Sequence, residues 1–408
     1  MRDAIETGFG TVIIGGGQAA LTASEHLRRG GYDAPITIIG EEAVAPYQRP
    51  PLSKAYLLGE MDEGRLSLKP QTWYESERVK LLTGVRACSI DRRATSVSLS
   101  NGTSLQYDHL ILATGAAPRR LPRSVTGDLE GVFSIRSMAD VDAIVPFLAA
   151  GKKLLVVGGG YIGLEMTAVA RKLGLAVTLV EAGQRILARV AGAETANRIS
   201  RLHSSQAVDI RTGTGLERLE GDRRVKTAVL TDGTVLDVDC VIVGIGAVPR
   251  CELAQDAGLD CDDGICVNQK GQTSDQRIWA IGDCASFHLD TGAVRYESVG
   301  HAINTAAVVA ANICGTMAIY SPRPWFWSDQ YDFKLQIAGV AAPECDVVVR
   351  DVSGEGCSHW YYRENTLVAV DALNAPKAYM VGRRLLEAGR SPIRQDVANP
   401  DVSLRELM

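Results

Sequence analysis

The sequence predicts an α/β protein with two Rossmann-like dinucleotide-binding domains and a small C-terminal α+β domain. Three observations predict it. A strand, a glycine-rich turn, a helix and a second strand ending in an acid occupy residues 11–42. The same order recurs over residues 153–181. After Pro322 and Pro324 the pattern changes to alternating strands and one closing helix. A repeated βαβ signature in one chain means two dinucleotides, or a flavin and a nicotinamide.

In the first unit, the β-branched run Val12 to Ile14 reads as a strand buried on both faces. It delivers Gly15-Gly16-Gly17-Gln18-Ala19-Ala20, a G-x-G-x-x-A turn, and Ala19 to Arg29 reads as a helix stopped by Gly30-Gly31. Gly15 allows the tight turn, Gly17 lets the backbone approach a pyrophosphate, and Ala20 lets helix and strand pack closely. The helix N-terminus offers free N–H groups to phosphate. Ile36 to Ile39 is the second strand, and Glu41 at its end is placed to accept from ribose hydroxyls.

Pro46 to Lys54 follows, an extended proline-rich segment ending at a helix start, which reads first as a surface loop with a solvated lysine and, as the alternative, as a segment that holds Lys54 in a fixed place. Residues 79–111 read as strands and turns, with Asn101-Gly102 as a hairpin signal. Leu110 to Gly115 and Cys240 to Gly246 are apolar strands ending in small-residue turns, and they read as crossings between two domains. Pro118, Pro122 and Gly127 support a linker. The division expected is 1–117 with 245–322, 118–244, and 323–408.

In the second unit, Lys153 to Val157 is a strand, Gly158-Gly159-Gly160-Tyr161-Ile162-Gly163 a full G-x-G-x-x-G, and Leu164 to Leu173 a helix closed by Gly174. Val177 to Glu181 is the acid-tipped strand. Glu181 favours NADH over NADPH, because it accepts a 2′-hydroxyl and repels a 2′-phosphate, although Arg185 stands nearby. Glu165 reads either as a first-turn partner of the helix dipole or as an acid pointing toward the nicotinamide.

Farther on, Ile278 to Ile281 is a strand ending at Gly282-Asp283, where Asp283 is either an N-cap or a partner for a ribityl hydroxyl. Arg295 to Val299 leads into a helix over about 301–314. Residues 331–372 alternate like strands, and 376–389 reads as a helix.

Composition narrows the partners. The 408 residues are 46% hydrophobic and 22% charged, with a net charge of −5. That balance argues against nucleic acid, and no segment approaches the ~18 apolar residues of a membrane helix. The opening Met-Arg-Asp-Ala-Ile-Glu is polar and acidic, which points to a cytoplasmic protein. Nine cysteines without a C-x-x-C read as reduced thiols, Cys261 and Cys266 included, and no metal site is expected.

Four stretches together resemble a known family: Arg49-Pro50-Pro51-Leu52-Ser53-Lys54, Gly158 through Glu165, Ala280-Ile281-Gly282-Asp283, and Trp325-Phe326-Trp327-Ser328-Asp329-Gln330. The chain resembles, over nearly its whole length, the FAD-dependent ferredoxin reductases of the glutathione-reductase fold, of the putidaredoxin reductase and biphenyl dioxygenase reductase type. The resemblance implies that Gly15, Gly17, Ala19, Glu41, Arg49, Thr114 and Gly115 hold FAD. It places Lys54 near flavin N5 with Glu165 as its ion-pair partner, and these two as the catalytic pair. Ala87 and Arg136 flank the cofactor, Asp283 binds the ribityl chain, and Val299 presents a helix N-terminus to the ring. Gly158, Gly160, Tyr161, Ile162, Gly163, Glu165, Glu181 and Gly246 hold NADH, while Trp325 or Trp327 shields the flavin edge. Gly300-His301 and Thr305 stand where relatives commonly carry Asn and Gln, which leaves flavin potential and partner preference open.

The activity so implied passes electrons from NADH through FAD to a small, acidic [2Fe–2S] ferredoxin serving a cytochrome P450 or a ring-hydroxylating dioxygenase. Lys69, Arg295 and Lys334 are candidates for the basic docking patch, on a monomer or homodimer. The alternative is a redox-signalling flavoprotein like apoptosis-inducing factor. A disulfide reductase is disfavoured, because residues 43–54 contain no cysteine. A membrane-bound quinone reductase is disfavoured by the short tail 402–408.

Overall fold

A computed structural model describes residues 9–290, 292–354 and 356–408. The polar N-terminal stretch Met1 to Glu6 lies outside them. The chain divides into two compact units. One takes the chain up to Arg49, with Asp62–Ala117 and Ala247–Pro322. The other takes Pro50–Met61, Pro118–Gly246 and Arg323–Met408.

The first unit is built on a five-stranded parallel sheet in the order Ile278–Ala280, His109–Leu112, Thr11–Ile14, Ile36–Ile39, Val79–Leu82. Its strands are short, β-branched and covered on both faces, as parallel strands require. On one side helices Gln18–Arg29 and Val299–Ile313 seal a core of Ile13, Leu21, Leu27, Ile111 and Ala306. On the other side lie Val12, Ile14, Leu110, Phe287 and Tyr320. The hairpin signal at Asn101-Gly102 joins strands Ser96–Leu99 and Ser104–Gln106.

The second unit holds the matching parallel sheet, ordered Asp209–Thr212, Ala176–Glu181, Lys153–Val157, Cys240–Val243, Val132–Phe133. Its helix begins at Tyr161 and runs to Lys172, three residues earlier than the apolar pattern predicts. The C-terminal part is a five-stranded antiparallel sheet in the order Trp325–Gln330, Phe333–Gly339, Thr366–Leu373, Gly356–Arg363, Asp346–Val352. Helix Pro376–Glu387 covers one face through Trp360, Val370, Ala372 and Leu385.

The opposite face of that sheet is buried yet polar. Alternate residues share a face of a strand, so Phe326, Ser328 and Gln330 point one way, as do Cys357, His359 and Tyr361 with the cross-strand Asp371. Phe326 stacks on Tyr161 of helix 161–172 at 6.2 Å between centroids. Thr195, on helix Ala193–Ser205, donates to Asp371 at 2.6 Å and meets His359 Nδ1 at 2.7 Å.

All nine cysteines are free thiols. Among the described residues no helix is long and apolar enough to cross a membrane.

Candidate functional site

The glycine loop of the first unit is shaped by its neighbours. Gly15 has φ +128°, and a Cβ there would stand 2.0 Å from the Ala113 carbonyl oxygen. The chain thus crosses the loop at Ala113, which sets Thr114 and Gly115 beside it. Gly17, by contrast, faces open space: a Cβ there would meet nothing within 4 Å. A Cβ on Gly282 would lie 3.1 Å from that of Ala19 and 3.8 Å from that of Ala302. The turn carrying Asp283 and the start of helix 299–313 therefore converge on the loop's helix. Asp283 lies in a 3₁₀ turn, Gly282–Cys284, so the N-cap reading is set aside.

Ser298 is the N-cap of helix 299–313, accepting from the His301 N–H at 3.0 Å, so Val299 is the first helical residue. His301 and Thr305 take up local bonds. His301 Nδ1 meets the Tyr320 hydroxyl at 2.7 Å, and Thr305 Oγ1 accepts from the Gly282 N–H at 3.0 Å.

Glu41 pairs with Arg250 at 3.0 Å, and Thr114 Oγ1 donates to the Arg250 carbonyl at 2.7 Å. Arg49 is held by Glu42 at 2.6 Å and lies over the Tyr47 ring. Ala87 opens a separate antiparallel strand, two residues beyond Val85, whose N–H bonds the Gly40 carbonyl at 3.0 Å.

In the second unit the loop repeats the design with a tighter third position. A Cβ on Gly163 would stand 2.0 Å from the Gly158 carbonyl oxygen, whereas one on Gly160 would find its nearest neighbour at 3.9 Å. Ile162 is an apolar side chain 43% exposed at the mouth of the loop. The Tyr161 hydroxyl is buried without a partner among the described residues. Glu181 turns its carboxylate back into the loop, accepting from the Gly159 and Gly183 N–H groups, each at 2.7 Å.

Arg185 is spent on backbone carbonyls, donating to Ala191 at 2.8 Å and Ala188 at 3.1 Å. The guanidinium of Arg189, which the motif reading passed over, stands about the Gly246 turn, 3.0 Å from where a Cβ would be.

Lys54 and Glu165 meet in this same unit. Pro50–Ser53 forms a 3₁₀ turn, and Lys54 follows it with its ammonium 2.7 Å from Glu165 Oε2 and 3.1 Å from the Pro50 carbonyl. Glu165 is the fifth residue of its helix and is not in the first turn. This corrects the helix-dipole reading: the carboxylate is only 5% exposed and is bonded sideways. Besides Lys54 it accepts from Ser53 Oγ at 2.6 Å on Oε2 and from Ser328 Oγ at 2.7 Å on Oε1. Ionisation of a buried carboxylate requires such partners.

Arg136, half-buried, precedes helix Met138–Ile144, and its N–H bonds Asp140 at 3.0 Å. Trp325 and Trp327 stack at 5.4 Å, with the Arg383 guanidinium over Trp325. Lys54, Arg136 and Trp327 thus belong to the unit of the second glycine loop, while Gly15, Gly17, Ala19, Glu41, Arg49, Ala87, Thr114, Gly115, Asp283 and Val299 belong to the other. Of the expected docking cations, Lys69 is paired with Glu25 at 2.7 Å and Arg295 with Glu297 at 2.8 Å. Lys334 is exposed on the strand beside Trp327.

Known proteins agree with this architecture. The pyridine nucleotide-disulphide oxidoreductase model matches residues 9–306, and the reductase C-terminal model matches 325–408. Rhodocoxin reductase of Rhodococcus erythropolis is 40% identical over 97% of this chain and 93% of its own length. Putidaredoxin reductase of Pseudomonas putida is 38% identical over 97% of this chain and 96% of its own. The crystal structure of a covalent putidaredoxin reductase–putidaredoxin complex superposes with a TM-score of 0.93 at 37% identity, covering 98% of this chain and 97% of that one. With both glycine loops formed and both family models matched along its length, the chain belongs to the pyridine nucleotide-disulphide oxidoreductases, in the branch of the putidaredoxin-reductase-type ferredoxin reductases.

Proposed function

We propose that the protein is an NADH:ferredoxin oxidoreductase that uses FAD, supplying electrons to a [2Fe–2S] ferredoxin of a cytochrome P450 or dioxygenase system. The observation that carries this reading is the pairing of two open glycine cradles, over Gly17 and over Gly160, with a buried Lys54–Glu165 ion pair. FAD, when bound, accepts a hydride from NADH and releases its electrons singly, which joins a two-electron donor to a one-electron acceptor.

The chain's residues do the rest. Gly15, Gly17 and Ala19 let backbone and helix N-terminus meet the FAD pyrophosphate, with Glu41 for the ribose, Asp283 for the ribityl chain and Val299 leading a helix N-terminus to the ring. Thr114 and Gly115 wall the loop, and Ala87 and Arg49 flank the cofactor. Gly158, Gly160, Gly163 and Gly246 make room for NADH, and Tyr161 and Ile162 cover it. Lys54 and Glu165 hold a fixed charge pair beside the nicotinamide, so the ring is oriented without reorganisation.

Glu181 selects NADH. With Arg185 committed to carbonyl groups, it offers no cation to a 2′-phosphate. The partner is read as small and acidic on the strength of Lys334, exposed on the strand beside that of Trp327, while Arg383 on the same face is paired with Glu387 at 2.9 Å. The anthranilate 1,2-dioxygenase system ferredoxin–NAD(+) reductase component of Burkholderia cepacia and the ferredoxin reductase for the CYP199A2 system from Rhodopseudomonas palustris support the two destinations.

Anaerobic titration with NADH tests the reading. Bleaching of the flavin band at about one equivalent is expected. Bleaching by NADPH alone overturns the role of Glu181, and failure to bind FAD overturns the whole.

A further inference from the structure

Three buried side chains continue the bonding of Glu165 in single file, away from Lys54. Ser328 Oγ lies 2.7 Å from Glu165 Oε1, and Gln330 Nε2 lies 3.1 Å from Ser328 Oγ. Gln330 Oε1 lies 2.7 Å from His203 Nε2, and the Tyr331 hydroxyl lies 3.1 Å from His203 Nδ1. Ser328 and Gln330 share one face of strand 325–330, and His203 comes from helix 193–205. Glu165, Ser328, Gln330 and His203 are all buried, so water does not stand in for a missing partner.

Hydrogen supply dictates the direction of every bond. An ionised carboxylate only accepts, so the single Ser328 hydroxyl hydrogen points to Glu165. Ser328 then has only lone pairs to offer, and Gln330 must present its NH₂ there. That turns the Gln330 carbonyl toward His203, which must carry its proton on Nε2. His203 Nδ1 is left as an acceptor, and Tyr331 donates to it. Burial lowers the His203 pKa, which keeps the ring neutral, and pushes the Tyr331 hydroxyl up to about 12, which keeps its hydrogen in place. Four donors thus point the same way, and such files polarise cooperatively.

We propose that His203, acting through Gln330 and Ser328, is a positioning residue for the Glu165 carboxylate, and that the ionised carboxylate in turn fixes His203 as the Nε2–H tautomer. The consequence for turnover depends on Glu165 acting beside the nicotinamide, as read above; the tautomer coupling does not.

The test is long-range ¹H–¹⁵N correlation spectroscopy on the oxidised, FAD-loaded protein labelled in its six histidines, with His203 assigned by the signal lost in His203→Gln. The wild type shows an Nε2–H ring. In Glu165→Gln the new side chain turns its carbonyl to Lys54 and Ser53, which donate, and its NH₂ to Ser328. Each later bond reverses, Gln330 flips, and His203 becomes Nδ1–H. The same tautomer in wild type and Glu165→Gln overturns the proposal. In Ser328→Ala the file is cut, so adding Glu165→Gln no longer moves the tautomer; a shift that persists without Ser328 also overturns it.

Gln330→Leu gives the kinetic arm: flavin reduction by NADH slows about 2- to 10-fold, the worth of one buried hydrogen bond, with FAD content unchanged. A wild-type rate there, alongside a slow Glu165→Gln, overturns positioning while leaving Glu165 in its role. A tautomer switch with a wild-type rate in Glu165→Gln supports the coupling and overturns that role instead.

Discussion

Lys54 Nζ lies 2.7 Å from Glu165 Oε2, with the lysine 19% and the glutamate 5% exposed. The two are delivered by a proline-stiffened turn and the second turn of a helix. Each is the other's main compensation for leaving water. Lys54→Met leaves a buried carboxylate without its cation, a loss of about 3–5 kcal/mol in comparable pairs. The expected outcome in stopped-flow mixing is flavin reduction slowed, or NADH affinity weakened, by at least about tenfold. Wild-type rate and affinity would refute the role.

Coenzyme choice is tested at Glu181. Its carboxylate is bonded to the Gly159 and Gly183 N–H groups, and in the proposed binding mode it opposes a 2′-phosphate. Glu181→Ala removes that repulsion. The ratio of kcat/KM for NADH to that for NADPH should fall about 10- to 100-fold, the range of one or two charge-assisted bonds. An unchanged ratio would place the selection elsewhere.

Two glycines should separate folding from binding. Gly17 has an ordinary extended backbone, φ −117°, and nothing within 4 Å of its missing Cβ. Gly17→Ala is expected to fold with near wild-type stability and to lose FAD on gel filtration. Gly163→Ala puts a methyl 2.0 Å from the Gly158 carbonyl oxygen, which forces the helix off the loop. It should retain FAD, lose NADH binding and unfold at lower temperature. Full FAD retention in Gly17→Ala would show that the cradle holds something else.

Acid stability carries a definite sign. Burial lowers His301 and His359 to about 4, from an ordinary value of 6.5. As pH falls from 6.5 to 4 the unfolded chain takes up protons that the folded chain refuses, so these histidines reduce stability on acidification. Asp371 acts oppositely: burial pushes it up to about 6 from 3.8. The folded chain keeps that proton longer, so its cost to stability grows as pH rises from about 4 and is complete above 6. In Asp371→Asn, stability relative to wild type should therefore improve by about 3 kcal/mol between pH 4 and pH 6. Urea midpoints across that range measure it, and parallel curves would refute it.

Much of this was legible in the chain. Both βαβ units and their acids follow from apolar runs and glycine spacing, because local backbone needs set those patterns. Lys54 and Glu165 were each readable as candidates from their local sequence, but their pairing came only through family resemblance; nothing in a proline-rich loop or a helical acid states that they meet. Ser328 was visible in the Trp-Ser-Asp-Gln run, but its partner was not. Polar residues on a buried sheet face look like solvent-facing ones, since alternation of period two reports two faces without saying which is wet. His203 carried no signal at all, sitting in an amphipathic helix with no motif. Its bond partner, Gln330, lies on a strand more than a hundred residues later in the chain.

Strand 325–330 also bears on how such reductases are re-engineered. One face, on the side of helix 376–387, carries Trp325 and Trp327, while Ser328 and Gln330 on the other face reach Glu165 and His203. A graft of the C-terminal domain from a relative, made to change the electron acceptor, would exchange both faces at once. Unless the donor segment supplies hydroxyl and amide groups at the positions of Ser328 and Gln330, the swap would retune hydride transfer along with recognition. If Trp327 and Glu165 act as the resemblance implies, the strand is a shared part, and acceptor choice is not a separable module.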